Sequence, residues 1–157
     1  MSTHNSVINY FKEFAARFAK EGITIQIPHP SALHLGTHYI AVDIGKSISA
    51  EFPFNKNLMN PIGSFQGGIL CGLMDEVFGP LSFMAAQKPC VTINMTTHFI
   101  RPFKESDEKV IITAHVVSQS KSLLLLEATV KTKDDKLIAS GTSQLLIVTD
   151  QLTRNNA

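Results

Sequence analysis

Cysteine, spare charge and long uninterrupted apolar runs are scarce in this 157-residue chain. Its two cysteines, Cys71 and Cys90, lack CxxC spacing and sit among apolar residues. They read as buried thiols of a protein in a reducing cytoplasm, not as a disulfide framework. No histidine lies near Cys71 in sequence, and burial makes a thiol inert, so a cysteine nucleophile is not expected. Charged residues make up only 17% of the chain and the formal net charge is +1. That removes the electrostatic case for nucleic acid or an anionic membrane as the main partner, while leaving room for a local basic site that meets a phosphate-bearing ligand. The N-terminus lacks a signal-peptide layout, and no apolar run reads as long enough to span a bilayer.

What is present is a globular composition, 44% apolar. The length fits a single domain over 1–157 that buries about two-thirds of its unfolded surface. The chain is organised around residues 60–87, NPIGSFQGGILCGLMDEVFGPLSFMAAQ. This stretch opens as a polar turn with Pro61 and Gly63, passes the Gly67-Gly68 pair, and then turns apolar at helical spacing through Ile69, Leu70, Leu73, Met74, Val77, Phe78 and Leu81. A helix apolar on most sides is expected to be buried. The pair Asp75-Glu76 interrupts it, and a buried carboxylate is costly unless paired or functional. Pro80 removes one helical hydrogen bond and is expected to bend the helix to fit a curved sheet.

Before this stretch, Val7, Ile8, Phe11, Phe14, Ala15 and Phe18 form one stripe of a helix from Ser6 to Lys20, with Ser6 as cap, Gly22 as stop and residues 1–5 frayed. That assigns 1–22 to an N-terminal helical segment. Residues 23–38 are irregular, with a short helical turn and three histidines, His29, His34 and His38. No Cys, Asp or Glu completes a metal set around them, so no metal is expected and the histidines belong at the surface or the mouth of a cleft. Strands are expected over His38–Ile44, Ser47–Phe54, Val91–Phe103, Lys109–Ser118, Ser122–Thr132 and Lys136–Thr149, with a turn at Asp134-Asp135 and a loose tail over 150–157. In Val91–Phe103 the alternation puts Val91, Ile93, Met95, Thr97 and Phe99 on one face. One long helix and about six strands give an α+β fold, a curled antiparallel sheet wrapped round the helix. The leucine run Leu123–Leu126 suggests a partly apolar outer face, which favours a homo-oligomer.

Three pieces of this chain together resemble hotdog-fold acyl-CoA thioesterases of the phenylacetate-pathway type. They are Asn60-x-x-Gly63-x-x-Gln66-Gly67-Gly68 followed by Asp75, then Val91-Thr92-Ile93-Asn94-Met95, then Phe99-Ile100-Arg101-Pro102. The likeness covers Asn60 to Phe103, and Gln66 stands where the family most often has His. The resemblance implies the hotdog fold and hydrolysis of an acyl- or aryl-CoA thioester, with no cofactor beyond the coenzyme A of the substrate. It implies Asp75 as general base or nucleophile, Gly67 as backbone oxyanion donor, Asn60 as the group that orients water or carbonyl, Gln66 as a hydrogen-bonding group for the thioester that cannot exchange a proton as His can, and Thr92 as a hydroxyl that positions water. Gly68, Arg101 and Phe65 are the further candidates for contact with such a substrate: Phe65 by the aromatic content near the helix, and Arg101, with Lys88 and Lys104, by a charge that can meet its phosphates. It also implies a dimer as the active unit, Asn60 and Gly67 from one copy meeting Asp75 and Thr92 of the other, and a tetramer as the assembly. Glu76 is expected to face elsewhere, toward an interface or Arg101. Two alternatives stand beside this reading: a non-catalytic acyl-CoA-binding regulatory domain, and an acyl-carrier-protein dehydratase, for which His98 and His115 are the strand histidines to consider.

Overall fold

The computed structural model describes residues 2–20, 22 and 24–148. The expected tail over 150–157, and Thr149 at the end of the last expected strand, lie outside the described residues.

The first helix, α1 (Thr3–Ala19), begins earlier than its apolar stripe suggested. Ser2 is the cap, its hydroxyl accepting from the Asn5 N–H at 3.4 Å, and the Ser6 hydroxyl instead donates back to the Ser2 carbonyl. His4 anchors this extra turn: its Nδ1 accepts the Tyr39 N–H at 3.2 Å. The expected fraying is therefore absent from residues 2–5, because a usable cap lies one turn upstream of Ser6. Val7, Phe11 and Phe14 are buried.

A short helix, α2 (Pro30–Leu35), ends on Gly36 in the left-handed region. It leads into β1 (His38–Asp43) and β2 (Ser47–Pro53). The core helix, α3, spans Gly67–Ala86 and closes on Gln87 with a positive φ. Then come β3 (Cys90–Phe99), β4 (Lys109–Gln119), β5 (Leu123–Thr132) and β6 (Leu137–Ile147). The six strands form one sheet in the order β1-β2-β4-β5-β6-β3, every neighbouring pair antiparallel. Helix α3 touches β2 through β6, so the sheet wraps it: this is the hotdog arrangement. The buried faces of α3 (Leu70, Leu73, Met74, Val77, Phe78, Leu81) meet inward residues of the sheet such as Ile48, Phe52, Ile112, Leu124, Leu126 and Leu145. By length and composition α3 is apolar enough to cross a membrane, contrary to the expectation that no run is; its 20 residues are apolar because five strands pack on them. Gly141 marks the tightest approach. A Cβ there would lie 2.5 Å from Met74 Cε and 2.7 Å from the Thr96 carbonyl oxygen, closer than side chains pack.

Two sequence expectations about β3 fail, each for a local reason. The strand carries a bulge between Thr92 and Asn94, which inserts a residue and reverses the alternation. Val91 pairs with Leu146 on the outer face, whereas Met95 pairs with buried Ser143 on the inner face. The strand also stops at Phe99, not Phe103. Ile100 and Arg101 both donate their N–H to the Ile138 carbonyl, and Pro102 has no N–H to continue the ladder.

The outer face is partly apolar, as the leucine run suggested: Leu123 is 43% exposed and pairs with Leu146, which in turn pairs with Val91. Leu124 and Leu126 are buried inward. The middle of that face is polar, a shallow hollow of about 390 Å³ lined by His98, His115, Glu127, Thr129, Ser140 and Thr142. Exposed large apolar residues also gather on the edge strand and its exit: Val91, Ile93, Phe99 and Ile100 are each about half exposed.

Candidate functional site

Two separate hollows flank α3, and they divide the residues that the sequence singled out. The first lies at the start of the helix. Asn60 builds its rim: its Oδ1 accepts from the Ile62 N–H at 3.1 Å and the Ser64 N–H at 3.0 Å, an Asx turn completed by Gly63 at φ 82°. The Asn60 side-chain oxygen is thus engaged, leaving its amide N–H groups as the donors it can offer. Gln66 is the N-cap of α3 without a side-chain cap bond. Gly67 is the first helical residue, so its N–H has no acceptor within the helix and sits at the positive end of the dipole. The ring of Phe99 closes over it: a Cβ at Gly67 would stand 3.3 Å from Phe99 Cζ. Asn60, Phe65, Gly67, Phe99 and Arg101 all line this hollow of about 340 Å³. Gln66 and Gly68 are exposed beside it but are not part of its lining. Phe65 serves as floor more than as contact: it is buried in an aromatic cluster with Phe54 and Phe103. Arg101 is exposed, as are Lys88 and Lys104.

The second hollow, about 300 Å³, lies further along the helix and is lined by Asp75 and Glu76. The expectation that Asp75 is buried is overturned: it is exposed in the single chain. The reason lies on its helix face, where Gly68, Gly72 and Gly79 would meet nothing within 4 Å if given a Cβ. That stripe of small residues is left uncovered by the sheet, and Asp75 stands in it. The Thr92 hydroxyl donates to Asp75 Oδ1 at 3.1 Å. Thr92 can do so because the β3 bulge lets it pair with Leu145 on the helix side of the sheet. Cys71, one turn before Asp75, is a free thiol whose Sγ–H donates to Thr97 Oγ1 at 3.5 Å.

Glu76 departs from expectation. It faces neither Arg101 nor open solvent; its Oε2 lies 2.8 Å from His29 Nε2, with the Glu76 side chain only 11% exposed. The hydrogen bond to Glu76 raises the His29 pKa above 6.5, outweighing burial. Burial pushes Glu76 up, but hydrogen bonds from His29 and Ser31 and the imidazolium charge outweigh it, and its pKa falls below 4.5. Burial, then the Glu76 charge, pushes the Tyr39 phenol up. This pair was missed in the sequence because 47 residues separate its members. The available signal was the uncompensated acid in an apolar helix.

Asp75 follows Gly67 by eight residues, about 12 Å of rise along α3. Within one chain the carboxylate and the helix-start donors are too far apart to act on one carbonyl. His98 and His115 lie on the outer face of the sheet, away from both hollows, so neither can serve as a dehydratase base beside α3. Among the described residues no group of His, Cys, Asp or Glu side chains has the arrangement to hold a metal ion.

Residues 63–139 match the family model described as the thioesterase superfamily. No curated protein sequence matches the chain significantly. Among solved structures, the PaaI protein of the Escherichia coli phenylacetic acid degradation operon is similar at 20% identity and a TM-score of 0.72, covering 86% of this chain and 91% of that one. AziG of S. sahachiroi is similar at 20% identity and a TM-score of 0.72, covering 76% and 97%. A thioesterase from Haemophilus influenzae is similar at 20% identity and a TM-score of 0.68, covering 76% and 82%. At these identities the likeness is one of fold.

Proposed function

The chain belongs to the thioesterase superfamily as a hotdog-fold member, and from that premise we propose that it hydrolyses acyl-CoA thioesters, aryl-acyl forms included, to the free acid and coenzyme A. The observation that carries this reading is Asp75, an accessible carboxylate on the core helix that receives the Thr92 hydroxyl. In a pair of copies, Asp75 and Thr92 of one would meet the Asn60 and Gly67 hollow of the other. The edge strand β3, with its exposed apolar residues and unpaired ladder groups, is the surface on which two copies would join. Joining would also desolvate Asp75 and strengthen it as a base.

The thioester oxygen would lie at the Gly67 N–H, where the helix start favours the charge that develops on it. In one route Asp75 takes a proton from water as its oxygen attacks the carbonyl carbon. In the other the Asp75 carboxylate attacks directly, and water then cleaves the anhydride. Both form a C–O bond, break the C–S bond and release the thiol after protonation of the thiolate. Single turnover in heavy-oxygen water tests the second route: label enters Asp75 when water cleaves the anhydride at the Asp75 carbonyl, and the first route never puts it there. Arg101, on the rim of the Gly67 hollow, is placed to meet a phosphate of the coenzyme.

Thiol release from a panel of short, long and aryl acyl-CoAs, with wild type beside Asp75→Asn, tests the proposal. Turnover by the wild type alone is expected. Binding of acyl-CoA without turnover by either would replace it with the regulatory reading, with Gln66, which cannot exchange a proton as His can, as the first residue to restore to His.

A further inference from the structure

The wall opposite Asp75 is not made by the core of the fold. It is made by residues 25–29, which run between α1 and α2 and place Ile25, Ile27 and His29 along the same hollow as Asp75. Residues 25–29 lie outside the stretch that matches the superfamily, 63–139. The other walls are apolar and firmly held. Phe11 is buried, and Phe83 stacks on Phe14 with centroids 5.8 Å apart. Gln87, at the end of α3, ties α1 in place: its amide donates to Tyr10 and its oxygen accepts from Arg17 at 3.1 Å. The segment's side-chain fastening is the 2.8 Å contact between His29 and Glu76, reinforced just beyond it by the Ser31 hydrogen bond to Glu76. Glu76 is the residue next to Asp75, so the fastening sits beside the carboxylate proposed to do the chemistry.

We propose that residues 25–29 form the wall of the acyl-binding slot beside Asp75, that the His29–Glu76 pair is the clasp that holds this wall against α3, and that Ile27 thereby limits the length of acyl group accepted. This rests on the thioesterase reading for its substrate class: an apolar acyl group, compact enough for a slot bounded by Ile25, Ile27, Phe11 and Phe83, carried on a thioester. The physical argument is short. The group attached to the attacked carbonyl must lie within a few bonds of Asp75, and this is the apolar space Asp75 opens onto. A nearly buried carboxylate held by an imidazole and a hydroxyl also fixes position better than apolar contact does, because its bonds are directional and their loss leaves a charge in apolar surroundings. His29 and Glu76 are positioning residues here.

The test is a chain-length profile. We would measure kcat/KM for straight-chain acyl-CoAs from acetyl to palmitoyl, with phenylacetyl-CoA, on wild type, Ile27→Ala, Ile27→Phe, Glu76→Ala and Glu76→Gln, each checked for folding by circular dichroism. In parallel, calorimetry would measure binding of hydrolysis-resistant thioether analogues of the same series. Ile27→Ala should raise the long-to-short ratio by roughly tenfold and Ile27→Phe should lower it. Glu76→Ala should flatten the profile, with Glu76→Gln keeping part of it through an amide oxygen that still accepts from His29. An equal loss across all lengths, or an unchanged profile in folded Ile27 variants, overturns the proposal. If no variant turns over but the analogue-binding profile still shifts with Ile27, the wall stands and the hydrolytic reading fails. If hydrolysis occurs and neither profile shifts, the reverse holds. If the wild type binds no analogue, the wall falls as well.

Discussion

The two hollows along α3 are made of opposite materials. The one at the helix start offers donors and positive potential: the Gly67 N–H, the Asn60 amide and Arg101. The one further along offers carboxylates, Asp75 and Glu76, among apolar side chains. One suits a carbonyl oxygen gaining negative charge, and the other suits a group that takes a proton or attacks. On the proposed reading neither is sufficient alone. The helix that carries both holds them about 12 Å apart, so chemical complementarity without spatial proximity argues for a second copy of the chain. In the proposed dimer one helix keeps the two functions apart and the symmetry of the pair reunites them.

The strongest way to break this comparison is at the carboxylate. Asp75→Asn should cut kcat about a thousandfold while acyl-CoA binding, read by calorimetry, is kept; an active variant would move the chemistry to another residue. Next comes complementation. Asp75→Asn mixed with Gly67→Val, each inactive alone, should regain about a quarter of wild-type activity after co-refolding, since half the random pairs are mixed and each mixed pair holds one intact site. No recovery would place both hollows' functions within one chain. Thr92→Val removes the hydroxyl on Asp75 and should lower kcat roughly tenfold with little change in KM. Asn60→Ala removes the acceptor of two turn N–H groups and should cost about 1 kcal/mol of stability by urea denaturation, together with a loss of activity.

The smallest effect concerns the clasp. The His29 pKa is raised, so its contribution is full below its unfolded value and is lost as pH rises through the raised value. The Glu76 pKa is lowered, so its contribution is present above the unfolded value and is lost as pH falls through the lowered one. Residues 25–29 should therefore be best held between those two pKa values. An NMR titration should find His29 above 6.5, and Glu76→Gln should bring it down; a His29 that does not respond would mean the pair does not form in solution.

Much of the fold was legible because its periodicities are simple. The apolar spacing of α3 and the strand alternation after Pro89 gave six strands round one helix. Where the reading failed, a local event had broken a period. The bulge after Thr92 reversed the faces of β3, sending Val91 outward and bringing Thr92 to Asp75. The exposure of Asp75 was hidden because Gly72 and Gly79 count as small filler in a helical pattern, whereas in space they leave an opening. The clasp was hidden by sequence distance. Asn60 and Gly67 were singled out by the family resemblance; the turn and the helix start they occupy are written locally, while the separation of Gly67 from Asp75 follows only from helix geometry.

The placement of residues 25–29 outside the superfamily stretch has an evolutionary consequence. The proposed catalytic groups Gly67, Asp75 and Thr92 lie within that stretch, and the proposed wall lies before it, tied down by the His29–Glu76 pair and, through α1, by the Gln87 bonds to Tyr10 and Arg17. If that wall sets selectivity, drift in it would retune the guest without touching those groups, and a chimaera that swaps only the first thirty or so residues would be the unit for engineering selectivity.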